Sequence, residues 1–226
     1  TGNDCPQNIT VTTNQDIIDI TTAYPNCVDL PGNLTVTDDA TQLFRFSLKN
    51  VAGNVVFQNL NYSDFDQLEI ETIGGNFEII SLPNLISTFA NGPLPLQSVG
   101  GTFRMQNLQS VENVAAFQNV TSIGGFWIIA CDQLNEADDF SAWDGTVLTG
   151  GRIILDSNPA IESLDLLSPL EFNGVTFDRI QLLAMPLLED ISTLEIAAAV
   201  DTLIIAANPN LADCAIAPIC AAIANP

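Results

Sequence analysis

Ile73-Gly-Gly-Asn-Phe-Glu-Ile79 is the stretch on which the reading of this chain turns. It returns as Val99-Gly-Gly-Thr-Phe-Arg-Met105, Ile123-Gly-Gly-Phe-Trp-Ile128 and Thr149-Gly-Gly-Arg-Ile-Ile154. Looser copies precede it at Leu30-Pro-Gly-Asn-Leu-Thr-Val36 and Val51-Ala-Gly-Asn-Val-Val-Phe57. A second phrase follows the strands at a fixed offset: Leu82-Pro-Asn-Leu85, Asn158-Pro-Ala-Ile161, Met185-Pro-Leu-Leu188 and Asn208-Pro-Asn-Leu211. Counting back from its prolines adds two copies without glycines. The anchors are then Gly32, Gly53, Gly75, Gly101, Gly125, Gly151, Asp178 and Asp201, spaced 21 to 27 residues apart. Such a period belongs to leucine-rich-repeat-like solenoids and parallel β-helix coils.

Beyond each anchor the residues alternate with the period of a strand whose one face lies in a core. Positions two and four read Leu34/Val36, Val55/Phe57, Phe77/Ile79, Phe103/Met105, Trp127/Ile129, Ile153/Leu155, Ile180/Leu182 and Leu203/Ile205, all apolar. The expected fold is a β-solenoid, a parallel β-helix of about eight coils with short helical caps at both ends. The chain divides as a single domain: N-terminal cap 1–29, repeats 30–207, C-terminal cap 208–226. Within the first cap, Thr13 and Asp16 have the spacing of a capping box ahead of a short helix.

Composition narrows the function. The 226 residues carry 5 Lys+Arg against 27 Asp+Glu, a net charge of −22, which repels nucleic acid and anionic membranes. With no histidine, the Ser-His-Asp triad, the Cys-His dyad and the HExxH zinc site are excluded. The longest apolar stretch, Ile191 to Ala207, is broken by Glu195 and Asp201, so no membrane insertion is expected. Cys5 with Cys27 and Cys214 with Cys220 read as two local disulfides of an oxidising, extracellular compartment. Cys131 is left over. It reads as a small buried residue, with an interchain bridge as the alternative. No leader sequence opens the chain, so Thr1 reads as the start of a processed segment. Asn8, Asn33, Asn61 and Asn119 are sequons, candidate glycan acceptors.

In the Gly-Gly-x-Phe-x-Ile phrases, the Leu-Pro-Asn-Leu and Asn-Pro-Asn-Leu phrases and the opening Cys5…Tyr24-Pro-Asn-Cys27…Gly32-Asn-Leu, the chain resembles the receptor L-domain-like, leucine-rich-repeat-like proteins of bacterial secretomes. The closing Asn208-Pro-Asn-Leu-Ala-Asp-Cys214…Ile219-Cys220 looks like that family's C-terminal cap. The resemblance spans nearly the whole chain. It implies a right-handed parallel β-helix, secreted or displayed at a cell surface, without catalysis. It departs from the family at Asp178 and Asp201, where the glycines are missing.

Positions three and five beyond each anchor face outward. They read Thr35/Thr37, Val56/Gln58, Glu78/Ile80 and Arg104/Gln106, then Ile128/Ala130, Ile154/Asp156, Gln181/Leu183 and Ile204/Ala206. Ile128, Ala130, Ile154, Leu183, Ile204 and Ala206 are predicted to form an exposed apolar strip that binds a partner. The partner is a protein or glycan at a surface, or copies of the chain itself in an extracellular filament or surface layer. A β-helix polysaccharide-active enzyme is the minor alternative, since no acid pair aligns on the sheet. No cofactor is expected. Calcium is the one ion considered, at Asp132, Glu136, Asp138 and Asp139, but no calcium-loop motif is present. Those acids, like Asp38-Asp39 and Glu189-Asp190, read as a solvated acidic face.

Overall fold

The computed structural model describes residues 4–38, 46–65, 68–86, 92–134, 143, 145–164, 167, 170, 176–191 and 200–211. The alternating stretches form the strands β1 (Ile9–Val11), β2 (Asp29–Leu30), β3 (Leu34–Thr37), β4 (Asn50–Val51), β5 (Val55–Gln58), β6 (Thr72–Ile73) and β7 (Phe77–Ile80). Further along come β8 (Ser98–Gln106), β9 (Ser122–Ile129), β10 (Val147–Leu148), β11 (Gly151–Asp156), β12 (Phe177–Leu183) and β13 (Leu203–Ala206). Helix α1 (Asn14–Ala23) and a 3-10 turn at Ala115–Phe117 lie among them.

Nine strands form one ladder in the order β1-β3-β5-β7-β8-β9-β11-β12-β13, every pairing parallel. A parallel neighbour requires a full circuit of chain between strands, so the molecule is a parallel β-solenoid, as the repeat predicts. A shorter ladder runs beside it through β2, β4, β6 and the first residues of β8 and β9 to β10. The long ladder holds one strand more than the repeat count because β1 lies ahead of α1, inside the stretch read as cap, and pairs with β3. The Cys5–Cys27 disulfide ties this first rung to the chain returning from α1. Closing a loop of 22 residues contributes about 3 kcal/mol by restricting the unfolded chain. Cys214 and Cys220 lie outside the described residues.

The glycine–asparagine pairs have a packing cause. Asn8 Oδ1 accepts the Asn33 N–H, Asn33 Oδ1 that of Asn54, Asn54 Oδ1 that of Asn76, each at 2.8 Å, and Asn76 Oδ1 accepts the Thr102 N–H at 2.9 Å. Each carboxamide lies where a Cβ on the preceding residue of the next coil would be: a side chain at Gly53, Gly75 or Gly101 would collide with the Oδ1 of Asn33, Asn54 or Asn76. An asparagine in one coil therefore imposes a glycine in the next. The ladder ends at Thr102, and beyond it the same positions hold Gly125, Arg152, Arg179 and Thr202. Asp178 and Asp201, where earlier coils have glycine, follow coils without that asparagine; at Gly124 and Gly151, which also follow such coils, a Cβ would meet the backbone of the preceding coil instead.

At the other end of each strand the chain turns through a residue with positive φ: Asp38, Asn59, Ser81, Asn107, Ala130, Ser157, Ala184 and Ala207, at 49° to 61°. The residue after the corner points inward at Leu60, Leu82, Leu108, Cys131, Asn158 and Met185. At Asn158 and Asn208 it is an asparagine that stitches two coils: Asn158 accepts the Cys131 N–H at 3.0 Å and donates to the Ile128 carbonyl at 2.9 Å. Asn208 does the same with Met185 and Leu182. This explains the register of the Asn-Pro phrases. Inside, Phe57, Phe77, Phe103 and Phe126 are fully buried, with edge-to-face contacts from Phe77 to Phe103 and from Phe103 and Phe126 to Trp143.

One coil departs from the predicted phase. Val99 and Phe103 are four residues apart, whereas their ladder partners Ile123 and Phe126 are three apart, and Gly125 pairs with Thr102. The corner is one residue shorter, so every side chain after it changes face. Phe126 and Ile128 are buried at 0% exposure, while Trp127 and Ile129 point outward. The expectation of an inward Trp127/Ile129 and an outward Ile128 is corrected accordingly.

Candidate functional site

The outward face of the long ladder presents two columns. From β1 to β13 the first reads Thr10, Thr35, Val56, Glu78, Arg104, Trp127, Ile154, Gln181, Ile204. The second, from β3, reads Thr37, Gln58, Ile80, Gln106, Ile129, Asp156, Leu183, Ala206. Polar and hydroxyl side chains dominate the first half. Apolar ones dominate from β9 onward.

The predicted strip is partly as placed. Ile154, Leu183, Ile204 and Ala206 are on the outward face, although Ile154 is only 8% exposed between Trp127 and Gln181. Ile128 is in the core for the reason given above. Ala130 is not a strip residue either; it is the positive-φ corner residue that ends β9. Trp127 and Ile129 take their places. The shortened corner hid these two, but counting back from Leu134, which stands as Leu85 and Ile161 do in their coils, places them correctly.

Where the two halves meet, the Arg104 guanidinium bonds Glu78 at 3.1 Å, hydrogen-bonds Gln106 and lies 5.3 Å from the Trp127 ring centroid. Arg104 Nε and Trp127 Nε1 are covered and have no hydrogen-bond partner. The pairing neutralises Arg104 and occupies Trp127 from one side.

Cys131 follows the corner residue Ala130 and takes the inward slot of Leu82, Leu108 and Met185, not the slot of Ser81 and Asn107 that the count from Gly125 gives it. Its thiol is fully buried, and that burial pushes its pKa up to about 12. Such a group is neither a nucleophile nor accessible for an interchain bridge.

The four sequon asparagines are exposed, and each is hydrogen-bonded: Asn8 and Asn33 in the asparagine ladder, Asn61 from Asn84, and Asn119 to the Leu94 carbonyl. Asp132, Glu189 and Asp190 are exposed, whereas Asp39, Glu136, Asp138 and Asp139 lie outside the described residues. Among the described residues no group of three or more Cys, Asp or Glu side chains converges on a point where a metal would sit. No helix among them is long and apolar enough to cross a membrane.

A groove of about 650 Å³ follows the short ladder, walled by Asn50, Thr72, Ser98 and Ser122 over a floor that includes Gly74 and Gly100. A Cβ at Gly74 or Gly100 would strike the backbone of the preceding coil. Its wall is also engaged with itself, through Asn50 to Asp29 and Thr72 to Asn50, both at 2.6 Å.

The structure thus defines a class: a disulfide-tied parallel β-solenoid whose long sheet is polar outside in one half and apolar in the other. No protein-family model, curated protein or solved structure matches the chain.

Proposed function

We propose that this protein is a non-enzymatic recognition or adhesion module, extracellular or at a cell surface, that binds a protein or glycan partner through the apolar half of its outward sheet face. The observation that carries the proposal is the cluster of Trp127, Ile129, Ile154, Leu183, Ile204 and Ala206 on one face of a chain with a net charge of −22. Apolar side chains gathered on a highly charged molecule mark an interface. The Cys5–Cys27 bridge supports an oxidising compartment. The resemblance to receptor L-domain-like proteins points the same way. A self-assembling filament subunit is the second reading. It draws on β13, where the core-facing Leu203 and Ile205 are half-buried, unlike the fully buried equivalents in the strands before it.

The test is a pair of substitutions, Leu183→Lys and Ile204→Lys, made together. Arrays of surface glycans and extracellular proteins are probed with both chains, and association state is followed by light scattering and electron microscopy. Binding or assembly that the wild type shows and the folded variant loses is the expected result. Identical behaviour of the two chains would remove this face from function.

A further inference from the structure

We infer that the partner of this face is a protein segment carrying a lysine or arginine between apolar side chains, with Asp156 receiving its charge; the inference rests on the recognition reading above. Two outward columns of the last four rungs form a grid, Trp127 and Ile129, Ile154 and Asp156, Gln181 and Leu183, Ile204 and Ala206, with Arg152 and Arg179 outward beside it at the start of β11 and β12. Asp156 is the single charged side chain in it. It is half-buried, flanked in its column by Ile129 and Leu183. The Ser157 hydroxyl donates to its Oδ1 at 2.9 Å, and among the described residues no cation pairs with it. Of the cations on this face, Arg104 is already bound to Glu78, and Arg152 and Arg179 stand at the far ends of β11 and β12 from Asp156 and Leu183. Covering the grid with an apolar surface alone would strip water from an unpaired carboxylate, which is costly. A cation delivered by the partner removes that cost and fixes its register.

Two other occupants fit less well. A second copy of the chain brings a net charge of −22 and only 5 basic residues, so like charges face one another. The grid is also small: four rungs about 4.8 Å apart and two columns wide offer on the order of 300 Å², against roughly 800 Å² per partner in a stable interface. That footprint suits about five residues of extended peptide. A glycan would need open aromatic faces for stacking, and the one aromatic of the grid, Trp127, already has Arg104 against its ring.

Three capped hexapeptides serve as probes in calorimetry at about 0.15 M salt: alternating isoleucine and lysine, alternating isoleucine and glutamate, and alternating glycine and lysine. The isoleucine–lysine peptide is expected to bind at least tenfold more tightly than either of the others. Asp156→Asn should weaken it tenfold or more, while Asp4→Asn, which removes the same charge at the far end of the ladder, leaves it unchanged. Leu183→Lys should abolish it; circular dichroism and urea unfolding verify that each variant is folded. Equal binding of the glycine–lysine peptide, or indifference to Asp156→Asn, would overturn the inference. Neutral oligosaccharide binding or self-association that Leu183→Lys abolishes, with no peptide bound, would overturn it and leave the recognition face standing. A chain that binds no probe and does not associate, with Leu183→Lys changing nothing, sinks both.

Discussion

Asn54 and Gly75 show how one residue dictates another a coil away. The Asn54 carboxamide accepts the Asn76 N–H, and the space it fills is the space a side chain at Gly75 would need. Gly75→Ala is therefore expected to cost about 1–3 kcal/mol by overpacking. Asn54→Ala should cost about 0.5–1.5 kcal/mol by removing the acceptor of the Asn76 N–H at a solvent-exposed position. Together they should cost less than their sum, by about 0.5 kcal/mol or more, because the first collision partner is gone. Urea unfolding of the four chains measures the cycle, and strict additivity would refute the coupling. At this scale the sequence was legible in kind and not in cause. The glycine phrases with their apolar runs announce the repeat, but only the stacking of coils relates each glycine to the asparagine of the coil before it. The same blindness produced the error at Gly125. Two glycines in a row read alike, and nothing local says that one of them stands in the place of Thr102.

Among elements, α1 is the one whose start was legible in full. Thr13 and Asp16 form the expected capping box: Asp16 Oδ2 accepts the Thr12 and Thr13 N–H groups at 2.8 Å, and the Thr13 hydroxyl accepts the Asp16 N–H at 3.3 Å. Those bonds, the Thr12 N–H foremost, hold the Asp16 carboxyl below its ordinary value of 3.8. A carboxyl lowered by folding contributes stability above its unfolded pKa and loses it as pH falls through the folded one. Asp16→Ala should therefore lower the melting temperature at pH 7, with the gap to wild type closing in the acid range below the ordinary carboxylate value. A gap that stays constant into strong acid would show that the carboxylate charge plays no part. Element β1 was missed for a clear reason. Ile9-Thr-Val11 is too short to show alternation on its own, and it becomes a strand only because β3 offers it an edge.

For the molecule as a whole, the repeat was enough to give the solenoid and its single continuous core, since period and alternation survive in every coil. The functional face was half legible. Its position followed from alternation, but its membership depended on the phase of one coil, and the isolation of Asp156 depended on where every cation sits. Charge is the global property that most affects the folded state. With 27 acidic and 5 basic residues wound into one compact stack, folding brings like charges together. Lys49 with Glu69 and Glu71, and Arg104 with Glu78, form ion pairs among the described residues. Raising sodium chloride from about 0.02 M to about 0.5 M shortens the screening length severalfold and should raise the melting temperature. A midpoint that falls or stays level would mean that ion pairs, and not repulsion, dominate the balance.

The interlock between each carboxamide and the glycine above it also bears on how such a chain can lengthen. A coil copied whole from the Gly32–Asn76 region carries an empty seat for the coil below and a carboxamide for the coil above. A tandem duplication there meets matching neighbours on both sides. A copy taken from the Arg152–Asp201 region brings a bulky residue to the corner and would be refused by any asparagine beneath it. Growth by whole-coil duplication is thus open at the amino-terminal half of the stack and closed to copies from the other, a polarity of inheritance written into the corner residues.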